Sequence, residues 1–491
     1  MMIKRYALCA ALSAAALALA ACGGGDSSDD TTTPPLPPSK IDRIEPLDTA
    51  APPQRAPLKA APVAVSRMPL GAVAAQVALE PLVNAKLAAP RGKGVALQLG
   101  QGRAVQAAAS PDDLTARLRW SALADGSQVA AVAFSSAGAR ATRLGVLARG
   151  VPAGTVLRFY GADGADVVEM SAAQLDALRQ ANEAAGVQGD AARMVWGPYI
   201  AGDASTLEVQ LAAGADPSQL QLAVPQLAHL TQTVLQTLQQ PKGPGEIGAA
   251  GSCNLDVMCN ADLQAESRAV AAMIFISGNT PYACTGTLLN DAPGSRTPYF
   301  MTANHCISTQ AEASTLVTYW FFRAAACNSS PVVDQAMTQL TGGARLLYTE
   351  AAGDVTLLQL NGQPPAGVVY AGSYFGAVPA AGTGVVGIHD PKGDLQKYSV
   401  GSITGYANCD ATTCNLGVSA ARAAMYQIGW TQGVTEGGSS GSAIFVKLGN
   451  TRYAVGALHG GNTDCQNQKG SDFYGRLDRA YNRGASAWLN P

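Results

Sequence analysis

The larger, C-terminal part of this chain reads as all-β, a sandwich or a barrel, with a smaller β-rich unit before it. Three observations predict this. Gly (53) and Pro (28) are frequent while charged residues make up only 14%, a balance that favours turns and short strands over long helices. Short apolar runs recur between turn residues: "AAMIFISG", "TPYFMTANH", "STLVTYWFF", "VTLLQLNG", "SAIFVKLG" and "RYAVGALHGG". Eight cysteines lie from Cys253 to Cys465 and none between positions 23 and 252, so an even-numbered disulfide framework is confined to one half. The 491 residues allow two or three folded units.

In chain order, Lys4 and Arg5 precede a short apolar stretch ending "LAACGGG". The stretch is too short for a bilayer span and reads as an export signal over 1–22. Leu19-Ala20-Ala21-Cys22 resembles a bacterial lipoprotein box, which implies lipidation of Cys22 and, with Gly23 next, an outer-membrane protein; the alternative is ordinary cleavage and free secretion. Residues 23–65 ("GGGDSSDDTTTPPLPPSK" and onward) read as a disordered tether.

Residues 66–240 are expected to form a small β-sandwich. Its strands should include "ARLRWSAL", "SQVAAVAFSS", "GTVLRFYG" and "STLEVQLA", with one helix capped by Ser171 and ended by Gly186. His229 there reads as structural. "QQPKGPGEIGAAGSC" is an exposed linker, and 243–491 is the disulfide-linked catalytic candidate. A net charge of −2 without basic runs excludes a nucleic-acid partner. No CxxC occurs and histidines number four, so no metal or other cofactor is expected.

"GGSSGSAIF" places Ser439, Ser440 and Ser442 on a glycine-bounded turn. A serine hydroxyl needs a base, a group to orient that base, and donors for the developing oxyanion. His305 follows an apolar strand in "YFMTANHC", and Asp354 heads another in "GDVTLLQL". An ionised Asp there requires a donor, which an imidazole N–H supplies. The order His, Asp, Ser in an exported all-β chain is that of chymotrypsin-type proteases.

Together "GSCNLDVMC", "ACTGTLLN", "YFMTANHC", "GDVTLLQL", "GVTEGGSSGSAIF", "LHGG" and "SDFYGR" resemble the bacterial lysyl endopeptidase family. The resemblance covers about Gly251 to Pro491. It implies a chymotrypsin-like double β-barrel preceded by a pro-domain, and a serine endopeptidase cutting after lysine. It makes His305, Asp354 and Ser440 the triad, with the N–H groups of Gly438 and Ser440 as the oxyanion hole. Asp472 takes the place of the carboxylate that receives the lysine side chain. His459 and Gly460 line the substrate strand. The implied bridges are Cys253–Cys465, Cys259–Cys327 and Cys284–Cys306, leaving Cys409 and Cys414 as a local pair. Ser439 stands where many trypsin-like enzymes keep an Asp for the new N-terminal amine, so activation should come from removing the pro-domain. Gly437 and Ala443 replace expected prolines, and Tyr406 is the nearest candidate for the aromatic beside His459. The expected partners are protein or peptide substrates of a monomer that meets a membrane only through a lipid on Cys22. Two rival readings are Arg or dual Lys/Arg preference, and a non-catalytic, surface-anchored binding protein.

Overall fold

A computed structural model describes residues 41–49, 64–69, 72–82, 94–164, 167–231, 250–329, 333–410 and 413–491. The export signal, Cys22 and the linker's Pro241, Lys242 and Gly243 lie outside the described residues. Among those described, no helix is long and apolar enough to cross a membrane.

The N-terminal half is a two-sheet sandwich. One sheet runs Val168–Ser171, Val156–Tyr160, Ala204–Leu211, Gln128–Ser136, Ala75–Leu79, with Ser121–Ala122 on the edge of Gln128–Ser136. The other runs Met194–Trp196, Ala141–Gly150, Gln221–Leu230, Gly100–Ala104, with Ile200–Ala201 beside Ala141–Gly150. Alternate residues of both sheets meet in one core of Val132, Phe134, Leu144, Val146, Leu157, Phe159, Leu207 and Val209. The helix expected after Ser171 spans Ala172–Ala184; Ser171 and Gln174 close a capping box, and Leu175 and Leu178 face the core. "ARLRWSAL" departs from expectation. Only Ser121–Ala122 is strand, because Ser110, Pro111 and Asp113 start a short helix, Pro111–Thr115, just upstream.

The C-terminal half has the expected double-barrel, all-β architecture. Its second barrel closes on itself: Thr451–Gly461, Ala443–Leu448, Gly384–His389, Lys397–Cys409, Met425–Gln432 and Asp472–Arg476, which returns to pair with Thr451–Gly461. The first comprises Val317–Trp320, Val270–Ser277, Thr280–Leu289, Tyr299–Thr302, Val355–Leu360 and Ala344–Glu350. Disulfides join Cys253–Cys465, Cys259–Cys327, Cys284–Cys306 and Cys409–Cys414.

Two contacts between the halves are absent from the sequence reading. Within the expected tether, Arg43–Ile44 pairs with Gly372–Tyr374 and Leu47–Asp48 pairs with Val369–Tyr370; Ile44 is buried, so this part is not solvated chain. Leu97–Gln98 adds antiparallel to Tyr282–Ala283 of the first barrel. Behind it Trp196, Tyr199 and Leu230 share an apolar cluster with Ile274, Tyr319 and Phe322, and buried Arg143 stacks on Tyr199 and donates to the Thr315 carbonyl at 2.8 Å.

Candidate active site

Three elements converge between the barrels. The strand Tyr299–Thr302 ends in a turn carrying His305, pinned by the Cys284–Cys306 disulfide. Asp354 precedes the strand Val355–Leu360 with φ +50°, a left-handed conformation that Asp tolerates better than most side chains. The turn Gly437–Gly441 carries Ser440 into the strand Ala443–Leu448.

Asp354 is 3% exposed and bonded on both oxygens. Oδ1 accepts the backbone N–H of His305 at 2.8 Å. Oδ2 accepts Nδ1 of His305 at 2.7 Å and Nδ1 of His459 at 2.6 Å. Burial alone would raise this carboxyl; the charge and hydrogen bonds of His305, seconded by His459, outweigh it and hold Asp354 well below the usual carboxylate range. An ionised acceptor makes both Nδ1 atoms donors, which leaves Nε2 of each ring as the nitrogen turned away from Asp354. The two rings stand perpendicular, 5.9 Å apart. Nε2 of His305 is buried with no hydrogen-bond partner among the described residues, so its bond to Ser440 Oγ is not made in this structure. Such contacts commonly close only with substrate bound.

The serine turn is wedged between these elements. Thr285 N–H donates to the Ser440 carbonyl at 2.8 Å, and Gly441 N–H donates to that of Leu458, next to His459, also at 2.8 Å. A Cβ on Gly441 would meet Thr302 Oγ1 at 2.2 Å and Ala303 N at 2.8 Å, two to three residues before His305. Only glycine lets the turn come that close. Gly438 has φ +96°, and the Gly437 carbonyl accepts Lys392 N–H at 2.5 Å. A trans peptide then turns the Gly438 N–H away from Lys392.

Ser439 and His389 lock this turn from beneath. Ser439 Oγ bonds Nδ1 of His389 at 2.8 Å, and His389 Nε2 bonds Ser399 Oγ at 3.1 Å. Burial, with Lys397 adding to it, pushes His389 down to about 3, so the ring is neutral. Glu436 also ties the turn to the incoming chain: its carboxylate takes Gly251 N–H at 2.7 Å, Asn254 Nδ2 at 2.8 Å and Lys392 Nζ at 2.8 Å. Ser442 is fully buried.

Asp472 lies fully buried in the second barrel, paired with Gly461 and Ile428. Its Oδ2 receives Trp430 Nε1, Thr435 Oγ1 and Thr463 Oγ1, each at 2.7 Å. Its Oδ1 is buried with no partner among the described residues. Burial raises this carboxyl despite the three donors. Arg476 does not pair with it, binding Asp478 through two nitrogens at 3.0 and 2.6 Å. His459 sits at a bulge between Leu458 and Gly460. Tyr406 packs on Tyr426 and donates to the Pro379 carbonyl; among the described residues the ring facing His459 is His305. Sequence reasoning missed Trp430, Thr435, Thr463 and Glu436. Only "VTEGG" held a signal, since Thr435 and Glu436 flank the recognised turn.

A family model described as the lysyl endopeptidase C-terminal domain matches residues 247–475, and one described as the lysyl endopeptidase N-terminal domain matches 70–231. A lysyl endopeptidase of Pseudomonas aeruginosa is 34% identical over 404 residues, 78% of this chain and 80% of that protein. Solved structures with similarity include a protease of M. tuberculosis in its active form (16% identity, TM-score 0.31, 50% of this chain and 92% of that one). Another is the thermostable serine protease AL20 from an extremophilic microorganism (14% identity, TM-score 0.31, 46% and 99%). The two family models account for both halves of the molecule, and the Pseudomonas relative spans the boundary between them: the chain belongs to the lysyl endopeptidase family and is a serine endopeptidase.

Proposed function

We propose that this serine endopeptidase hydrolyses peptide bonds on the carboxyl side of lysine. One observation carries the specificity. Asp472 is a carboxylate whose Oδ2 is saturated by three donors while Oδ1 is buried and unpartnered. A compact ammonium can satisfy one free oxygen. A guanidinium binds best through two parallel bonds, one to each oxygen, and here only one is open. The pocket therefore favours lysine over arginine. Paired peptides differing only in Lys or Arg before the scissile bond test this, with Asp472→Asn as control. Lysine should be preferred at least tenfold in kcat/KM, and equal rates would sink the assignment.

In the proposed mechanism the Nε2 lone pair of His305 takes the Ser440 proton as Oγ attacks the carbonyl carbon. Asp354, held ionised, fixes the ring's tautomer and stabilises the imidazolium. The N–H groups of Gly438 and Ser440 receive the oxyanion. His305 then protonates the leaving amine, and water activated by the same ring resolves the acyl-enzyme. A lysine side chain seated against Asp472 puts its carbonyl at Ser440, with Gly460 and its neighbours pairing the substrate backbone.

We further propose an exported zymogen, an outer-membrane lipoprotein through Cys22 or secreted once residues 66–240 are cleaved away, with the cut after Lys242. The neutral His389–Ser439 pair and the Gly251–Glu436 bond support activation without a newborn amine. N-terminal sequencing of the exported form should give Gly243; any other start would refute that site.

A further inference from the structure

Among the described residues, Gly94–Gln98 of the N-terminal domain lies against the elements that carry His305, Ser440 and His459. Gly94, φ +64°, lies against His459: a Cβ there would meet Cε1 at 2.4 Å and Nδ1 at 3.0 Å. Ala96 is buried in the cluster that contains Cys284 and Cys306, the disulfide beside His305. Leu97 is opposite Ala283 in an antiparallel pair, and its Cδ1 is 3.7 Å from where a Cβ of Gly437 would sit, at the serine turn. Gln98 is opposite Tyr282, and Leu99 N–H donates to the Pro281 carbonyl at 2.9 Å. Five consecutive residues thus run from His459, past the Cys284–Cys306 disulfide, to Tyr282.

The direction of travel follows from the specificity pocket. Asp472 pairs with Gly461, two residues beyond His459, so the strand Thr451–Gly461 holds the side of a substrate that keeps the attacked carbonyl. The Cys284–Cys306 side holds the departing amine. Residues 94 to 98 therefore cross the cleft from acyl side to leaving side, N to C, as a substrate does. Between the residue at His459 and the residue at the disulfide stands Val95, which is 38% exposed. In this register its side chain is the one that Asp472 would have to accept. An isopropyl group offers that carboxylate nothing, and burying it against an unpaired charge is costly.

We propose that Gly94–Gln98 is a substrate-directed internal inhibitor of this enzyme, held uncut because Val95 rather than a lysine is presented to the Asp472 pocket. The inference rests on the lysine reading above and adds the segment, its polarity and the reason it survives. Strand pairing with Tyr282–Ala283 gives the segment affinity without requiring a matched side chain.

The test is Val95→Lys in the full-length chain. The residue is partly exposed, so the fold should tolerate the exchange. Ser440 Oγ should then bond to the carbonyl carbon of residue 95, and the bond to the Ala96 nitrogen should break. That nitrogen leaves with the proton His305 took from Ser440. Water then regenerates the hydroxyl and leaves a carboxylate on residue 95. Mass spectrometry should find this cut in Val95→Lys, and find it neither in the parent nor in Val95→Lys combined with Ser440→Ala. A Val95→Lys chain that hydrolyses external lysyl peptides but stays intact between 95 and 96 would overturn the proposal.

A second arm does not depend on lysine. In the full-length chain, Gly94→Val should push the segment off His459 and speed labelling of Ser440 by a small serine-directed phosphonate at least tenfold. Gly94→Ala, the smallest intrusion, replaces it if the valine variant does not fold. Labelling at the parent rate would mean that the segment does not block the site. Failure to cut any lysyl peptide, with labelling accelerated, would overturn the lysine reading and with it the role given to Val95, while leaving the occupancy standing.

Discussion

Asp354 and Asp472 are buried to nearly the same degree, yet the protein treats them in opposite ways. Asp354 meets two imidazoles and a backbone N–H, and its carboxyl is held low. Asp472 meets an indole and two hydroxyls, neutral donors that do not offset its burial, and its carboxyl is raised. The first carboxylate has its ionisable partner within the fold. The second keeps one oxygen without a partner among the described residues, and in the proposed function a substrate ammonium supplies its countercharge. Within the fold, the carboxylate that orients His305 is fully partnered, whereas the carboxylate proposed to select the substrate is left with one open oxygen.

Substitutions at Ser440 and at the two carboxylates should separate these roles, the largest effect coming first. Ser440→Ala should lower kcat by about 10⁶, by precedent with other Ser-His-Asp hydrolases, and leave lysyl-peptide binding intact. Asp354→Asn should cost about 10⁴ in kcat, because an amide no longer enforces the tautomer of His305; a loss under tenfold would mean its charge is idle. Asp472→Asn should instead cost on the order of 10³ in kcat/KM for lysyl substrates, about 4 kcal/mol for breaking a buried pair, with Ser440 still labelled by phosphonate at the parent rate. Because Asp472 is raised above its ordinary 3.8, KM for lysyl peptides should climb with acid at a higher pH than a free carboxylate would give, and Asp472→Asn should abolish that dependence. Thr463→Val, which removes one donor to Asp472, should raise KM only about fivefold, for roughly 1 kcal/mol.

His389 gives a separate pH test. Its folded value, about 3, lies below its ordinary 6.5, so the unfolded chain takes up a proton that the fold refuses. Stability should therefore fall as pH drops from about 6.5 toward 3. Denaturant midpoints across that window should flatten in His389→Gln. An equally steep profile in the variant would assign the loss to other groups.

What the sequence revealed depended on whether a function fits into contiguous residues. His305, Asp354 and Ser440 each sit in a short strand-and-turn motif readable from contiguous residues, and the structure joins the first two by a hydrogen bond. Asp472 was singled out by the resemblance of "SDFYGR" to the family's motif, and the structure buries it beneath three donors. Those donors were not legible. Trp430 lies in one strand and Thr435 and Thr463 in two loops, brought together only when the second barrel closes. Leu97–Gln98 and Arg43–Ile44 are two-residue strands, too short to show alternation, and their partners lie 185 and about 330 residues away. The segment "ARLRWSAL" does alternate, yet the proline-initiated turn of helix before it takes up the chain and leaves just Ser121–Ala122 to pair.

The strands at Arg43–Ile44 and Leu47–Asp48 have a consequence for release. They pair with Val369–Tyr370 and Gly372–Tyr374 of the protease half, while Leu97–Gln98 grips the first barrel. A break in the linker would yield two polypeptides that still hold each other at separate handholds. When one lets go, the other keeps its local concentration high enough to rebind, so departure is far slower than either grip alone would set. Were the linker cut as proposed, nicking and liberation would be distinct events, separated by the time both handholds take to let go.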